Sequence, residues 1–255
     1  KVIGGSSPGV SIRQAIVPDD IPAGAFKACD EANAAYGHLA NPLACYAFDG
    51  DAADSSRNER NGSLMGGTTF VSGRAGQAVE LNGSDGYVSL PPLSSEDFSI
   101  AGWIYYTSKP GQWSRFFEHS KDTTYPSAGS LFVTMNDGSD TMYGRIWQGG
   151  SAVAQAGSTT TPTAGEWHHI VATYDQGGAG MSLYVDGVLT GTAPYNSKGF
   201  DDWGDQIFNL GRSSWPADPD AYIAASYDEV FVYDYAISAE AVSSLYNLEF
   251  TCSDL

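Results

Sequence analysis

The chain has 255 residues and a formal net charge of -18, from 30 Asp and Glu against 12 Lys and Arg. Such a charge repels phosphate backbones and anionic bilayer surfaces, which argues against nucleic acid as a partner, and no run approaches the roughly 20 apolar residues that a membrane-spanning helix needs. Its 30 Gly, 15 Tyr, 11 Phe and 6 Trp suit many short strands joined by tight turns, not a helical protein.

The opening Lys1-Val2-Ile3-Gly4-Gly5 is not a signal peptide, which leaves room for a leader removed ahead of it. Residues 1–41 read as a lead-in: Pro18, Pro22 and several Gly, then Phe26, Cys29, Ala32 and Tyr36 at helical spacing, with Gly37 closing a short helix. A linker or the tail of an upstream domain is the alternative for this segment. Cys29, Cys45 and Cys252 allow one disulfide in any of three pairings, as suits an oxidising compartment, and no zinc-type Cys/His spacing is present.

From residue 42 to 255 the pattern is that of a single all-β domain. The apolar run Leu43 to Phe48 stops at Asp49-Gly50, and further strands are expected at 78–81, 87–90, 98–106, 115–119, 130–135, 141–148, 167–174, 181–185, 207–211 and 226–233. Asp186-Gly187 supplies the positive backbone dihedrals of a two-residue hairpin turn. Ser238 is placed to cap a helix running to about Tyr246. Some eleven to thirteen strands point to a two-sheet antiparallel jelly-roll sandwich with short N-terminal and C-terminal helices.

The run Tyr46-Ala47-Phe48-Asp49-Gly50, then Asp54-Ser55-Ser56 and Asn61-Gly62, resembles the opening of laminin-G-like jelly-roll domains of the concanavalin A-like superfamily. Gly76 to Gly83, Phe98 to Trp103, Trp167 to Tyr174, Leu183 to Gly187 and Tyr227 to Tyr233 extend the resemblance, in the family's order, over roughly residues 43–248. It implies an extracellular binding domain, secreted or at a bacterial cell surface, often holding one calcium ion and recognising carbohydrate or protein. It fixes no ligand.

If first and last strands are neighbours, as in that family, Asp54 and Asp228 would meet and supply carboxylates to Ca2+, with Asn58 and Asn61 as further oxygen donors. The competing reading gives Asp54 an Asx-turn and Asp228 a loop hydrogen bond. Asp49, Asp51 and Asp54 do not make an EF-hand, since the loop lacks its glycine and closing glutamate. Trp113, Arg115, Tyr143, Arg145, Trp147, Asp202, Trp203 and Trp215 are the candidate ligand contacts: flat rings stack on sugars, and polar side chains bond hydroxyls or charged groups. Trp103 and Trp167 sit inside strands and read as structural. His168 and His169 point to opposite faces of one strand and read as scaffold.

No nucleophile motif is present, and the acids near the last strand do not alternate on one face as in sandwich glycosidases. A non-catalytic carbohydrate-binding module is therefore expected. An adhesin or pilus-associated protein with a protein partner is the first alternative, and a polysaccharide lyase or glycoside hydrolase the second.

Overall fold

A computed structural model describes residues 42–56, 58–121, 129–195, 207–215 and 222–247. The expected N-terminal helix, Cys29 and Cys252 lie outside these residues. The described residues form β1 (Ala44–Tyr46), β2 (Ser63–Met65), β3 (Thr69–Ser72), β4 (Gln77–Asn82), β5 (Tyr87–Leu90), β6 (Phe98–Tyr105), β7 (Arg115–Ser120) and β8 (Ser130–Thr134). They continue with β9 (Thr141–Gln148), β10 (Ser151–Thr160), β11 (Trp167–Asp175), β12 (Gly180–Val185), β13 (Val188–Ala193), β14 (Ile207–Leu210), β15 (Ala224–Tyr233) and a helix, α1 (Ala239–Asn247). The strands build two antiparallel sheets, a β-sandwich. One runs β13-β12-β11-β6-β15-β4-β3 with β1 added on β15; the other runs β10-β9-β8-β7-β14-β5-β2.

Alternation explains which side chains meet between the sheets. Ile100 and Ile104 of β6, Ile170 and Ala172 of β11 and Leu183 of β12 face Leu131, Val133, Ile146 and Phe208 of the other sheet. Each fully buried large apolar side chain stabilises by roughly 1.5–3 kcal/mol, so this layer dominates the fold's stability. The hairpin turn forms as expected, with φ of 50° at Asp186 and 77° at Gly187, and pairs Val185 with Val188.

The outer face of the larger sheet is covered as well. Ala241, Val242 and Leu245 of α1 pack on Cys45, Ala101, Val171, Tyr184, Phe231 and Tyr233. The helix begins where Ser238 Oγ accepts the Ala241 N–H at 3.2 Å. Cys45 is fully buried in β1 and is not a free thiol.

Among the register shifts, those in β15 and β7 decide which side chains face the core. In β15 the register shifts between Asp228 and Phe231, with Glu229 at φ 49°, so Tyr227 and Val230 both enter the core. In β7 the register shifts between Arg115 and Phe117. Phe116 and Phe117 both turn inward, and Arg115 and Glu118, three residues apart, share the outer face. Tyr227 holds this bulge from across the core: its hydroxyl donates to the Arg115 and Phe116 carbonyls at 3.0 and 3.1 Å, and its ring stacks on Phe116 at 5.5 Å.

Candidate functional site

The outer face of the smaller sheet gathers most of the ligand contacts expected from sequence. Register aligns Arg115 with Thr134 and Tyr143 in one row, Asn209, Glu118, Phe132 and Arg145 in the next, and Ser120, Ser130 and Trp147 in the third. Arg115 is fully buried. Its Nε donates to Glu118 Oε2 at 3.1 Å and its Nη1 to the Trp113 carbonyl at 2.6 Å, while the guanidinium lies 4.1 Å over Phe132 and 5.5 Å over Trp215. Glu118 Oε1 accepts from Ser214 Oγ at 2.5 Å, and Ser120 Oγ donates to Ser214 Oγ at 2.6 Å. A buried ion pair of this kind adds little net stability, yet loss of one partner costs about 3–5 kcal/mol because the other charge is stranded.

Around that pair the rings form a rim. Trp215 meets Phe132 and Trp147 edge-on at 6.1 and 5.8 Å. Arg145 lies 4.3 Å over the Tyr143 ring and directs Nε and Nη2 at Gln155 Oε1. Arg145, Trp147 and Trp215 are half-buried, as is Trp113, which takes φ 61° at the β7 entrance. Among the described residues, four polar atoms on this face are buried with no hydrogen-bond partner: Arg115 Nη2, Ser130 Oγ, Tyr143 OH and Asn209 Nδ2. Buried polar groups are nearly always satisfied, so such a cluster marks this face as a candidate binding site. Burial raises the Tyr143 hydroxyl, against the opposing pull of Arg145 and Arg115, and keeps it protonated. Asp202 and Trp203 lie outside the described residues.

Sequence reading missed Phe132, Ser130 and Asn209. Their signal was alternation: Ser130, Phe132 and Thr134 interleave with the core residues Leu131 and Val133, and Asn209 lies between Phe208 and Leu210.

The acids divide differently from the expectation. Asp54 Oδ1 accepts from the Cys45 and Ser56 N–H groups at 2.9 and 2.8 Å, and Oδ2 from Ser56 Oγ and the Arg60 N–H at 2.8 and 2.9 Å. Asn61 Oδ1 accepts the Asp54 N–H at 2.9 Å, and Asn58 Nδ2 donates to the Pro42 and Leu43 carbonyls. Asp54, Asn58 and Asn61 therefore brace their own loop against β1, as an Asx-type motif does.

Asp228 is another matter. Its Oδ2 accepts the Ala75 N–H at 2.9 Å, the Arg74 and Glu229 N–H groups also act on the carboxyl, and Oδ1 is buried beside them. Burial pushes its carboxyl up to about 7, against backbone N–H groups that lower it, and the charge of Asp49 adds to the rise. Asp49 in turn accepts the Gln77 N–H at 2.6 Å. Glycine permits this close approach: a Cβ at Gly73 would lie 2.5 Å from Asp228 Oδ2, and one at Gly76, at φ 57°, would lie 2.3 Å from Asp49 Oδ1. Asp49 and Asp228, two acids beside a glycine-rich turn, are the carboxylates that could be offered to a hard cation here, while the Asp54 oxygens are engaged by their own loop. Among the described residues no group of three or more His, Cys, Asp or Glu is gathered for a metal.

The two histidines are engaged separately. His168 Nδ1 meets Asp186 Oδ2 at 2.8 Å and Nε2 meets the Thr163 carbonyl at 3.0 Å, whereas His169 is buried between Trp103 and Tyr246 and pushed down to about 4 by that burial.

With this geometry in view, the family model for the concanavalin A-like lectin/glucanases superfamily matches residues 82–243. The chain belongs to this laminin-G-like family. No curated protein sequence matches it. Among solved structures it is similar to domain 4 of AbnA, a GH43 extracellular arabinanase from Geobacillus stearothermophilus in complex with arabinotriose, at 20% identity and TM-score 0.67, covering 81% of this chain and 98% of that one. It is also similar to Trypanosoma rangeli sialidase, at 16% identity and TM-score 0.61, covering 82% of this chain but 33% of the sialidase. A third similarity is to the binding domain of botulinum neurotoxin DC in complex with rat synaptotagmin II, at 13% identity and TM-score 0.59, covering 81% and 51%. At these identities the likeness is one of fold.

Proposed function

We propose that this protein is an extracellular, non-catalytic carbohydrate-binding domain that receives a glycan on the outer face of its smaller sheet and holds a structural calcium ion at Asp49 and Asp228. The observation that favours this site is the grouping of Trp147, Trp215, Tyr143 and Arg145 around buried polar atoms that lack partners. Rings hold the sugar's apolar face while polar atoms bond its substituents. The arabinotriose-bound domain of similar fold makes arabinan a first ligand to try.

Support for a non-catalytic role comes from the carboxylates. Hydrolysis at a glycosidic bond ordinarily uses two, and Glu118 is the one acid in the seven strands of this sheet, with both oxygens engaged. For calcium, the buried Asp228 carboxyl, raised in part by the charge of Asp49, is the supporting observation; main-chain carbonyls would complete the ligand set, and the ion would relieve the repulsion between the two acids.

A glycan array read with and without chelator tests both halves. Trp147→Ala is expected to weaken glycan binding about tenfold or more, equivalent to about 1.4 kcal/mol per decade. Failure of every glycan to bind would overturn the reading. Calcium at 100-fold over its Kd should stabilise by about 2.7 kcal/mol, a Tm rise of roughly 5–10 °C for a domain of this size. Asp228→Asn should abolish that rise, and an unchanged rise would move the ion elsewhere.

A further inference from the structure

The smaller sheet's outer face is unusual in its balance of donors and acceptors. In a chain of net charge -18, the described residues of its strands carry two guanidiniums, Arg115 and Arg145, against one carboxylate, Glu118. Glu118 is consumed by Arg115 Nε and Ser214. Arg145 bonds the neutral Gln155 amide and, among the described residues, forms no ion pair. Asp137 acts on Tyr143 from the end of β8 but pairs with neither arginine.

The unpartnered atoms lean the same way. Arg115 Nη2 and Asn209 Nδ2 can only donate, and the Ser130 and Tyr143 hydroxyls can donate. A neutral sugar hydroxyl brings an O–H donor along with its lone pairs, and that proton finds no acceptor in this set apart from the Ser130 and Tyr143 hydroxyls. A carboxylate or sulfate offers acceptors alone. Burial decides how it would be reached: Arg115, Ser130, Tyr143 and Asn209 expose at most 2% of their surface, whereas Arg145, Trp147 and Trp215 are half-buried. The floor therefore suits one projecting substituent, and the rim suits the ring that bears it.

Resting on the glycan-binding reading above, we infer that the ligand is an acidic glycan whose carboxylate or sulfate is received by Arg115 and the Tyr143 hydroxyl, which lie in one row, with Arg145 closing over it. Long-range repulsion by the chain's net charge opposes polyanions, so binding of one must come from local contacts of this kind.

The test is calorimetry and affinity electrophoresis of the whole chain at about 0.15 M salt, where the Debye length is about 8 Å. The probes are polygalacturonate and alginate for carboxylate, dextran sulfate for sulfate, and linear arabinan and dextran as neutral arms. One acidic arm is expected to bind at least tenfold more tightly than either neutral arm, and which arm does so identifies the substituent. Arg145→Gln, at a half-buried position that folding tolerates, should bring the acidic-to-neutral affinity ratio towards one, with near-ultraviolet circular dichroism confirming the fold. Equal or tighter neutral binding, or an unaltered ratio in Arg145→Gln, overturns the inference. Neutral binding that Trp147→Ala abolishes would keep the glycan-binding reading while refuting acidity, and failure of all five polymers would refute both.

Discussion

His168, on the larger sheet, illustrates how one side chain's partners give a pH response. Its two ring nitrogens meet the Asp186 carboxylate and the Thr163 carbonyl, an arrangement that a doubly protonated imidazolium satisfies. The Asp186 hydrogen bond raises His168 against the opposing effect of burial, and the Glu166 carboxylate, 4.0 Å from Nε2, acts in the same sense. Asp186 is itself held low: burial would raise it, but bonds from His168 and the His169 N–H outweigh that. A raised histidine contributes stability that is complete below its unfolded value of about 6.5 and fades as pH rises through the folded value; a depressed aspartate contributes above about 3.8 and fades below. The pair should therefore stabilise most between about pH 4 and 6.5. His168→Gln is expected to cost about 1 kcal/mol near pH 5.5 and progressively less above pH 7, measured by urea midpoints across that range. An equal cost at pH 5.5 and 9 would show that charge is not involved.

At the scale of elements, the bulges explain what could and could not be read ahead of the structure. Long alternating strands such as β6 and β11, the Asp186-Gly187 hairpin and the Ser238 cap were legible because local chemistry dictates each of them. β2 and β3 were not, being short and largely exposed, and β10 is too poor in large apolar side chains to announce itself. Period-two counting places Arg115 and Glu118 on opposite faces; the β7 bulge, fixed by a tyrosine more than a hundred residues later, reverses that and creates the ion pair. The same limit applies to the acids. The family resemblance pairs Asp54 with Asp228 through neighbouring first and last strands, whereas backbone turns decide that Asp54 braces a loop and that Asp49 acts on Asp228. Tyr227→Phe tests the long-range control: loss of two buried hydrogen bonds should cost about 1–2 kcal/mol, and glycan affinity should fall although Tyr227 lies inside the core. Full affinity in a destabilised variant would mean that the bulge persists without its tyrosine.

For the whole molecule, the bulge in β15 has a mechanical meaning. Residues 224–227 pair with β4 and residues 230–232 with β1, so the last strand is shared between two neighbours, and β1 begins beside the end of β15. Ala44 sits opposite Val232, in antiparallel register, at the outer end of a three-rung ladder. Tension applied to the two ends would peel this ladder rung by rung instead of shearing all three together, a geometry that yields at low force. A domain tethered at a surface through its ends would then part first at β1, unless a covalent link through Cys45 takes the load, and single-molecule pulling with and without reductant would separate those cases.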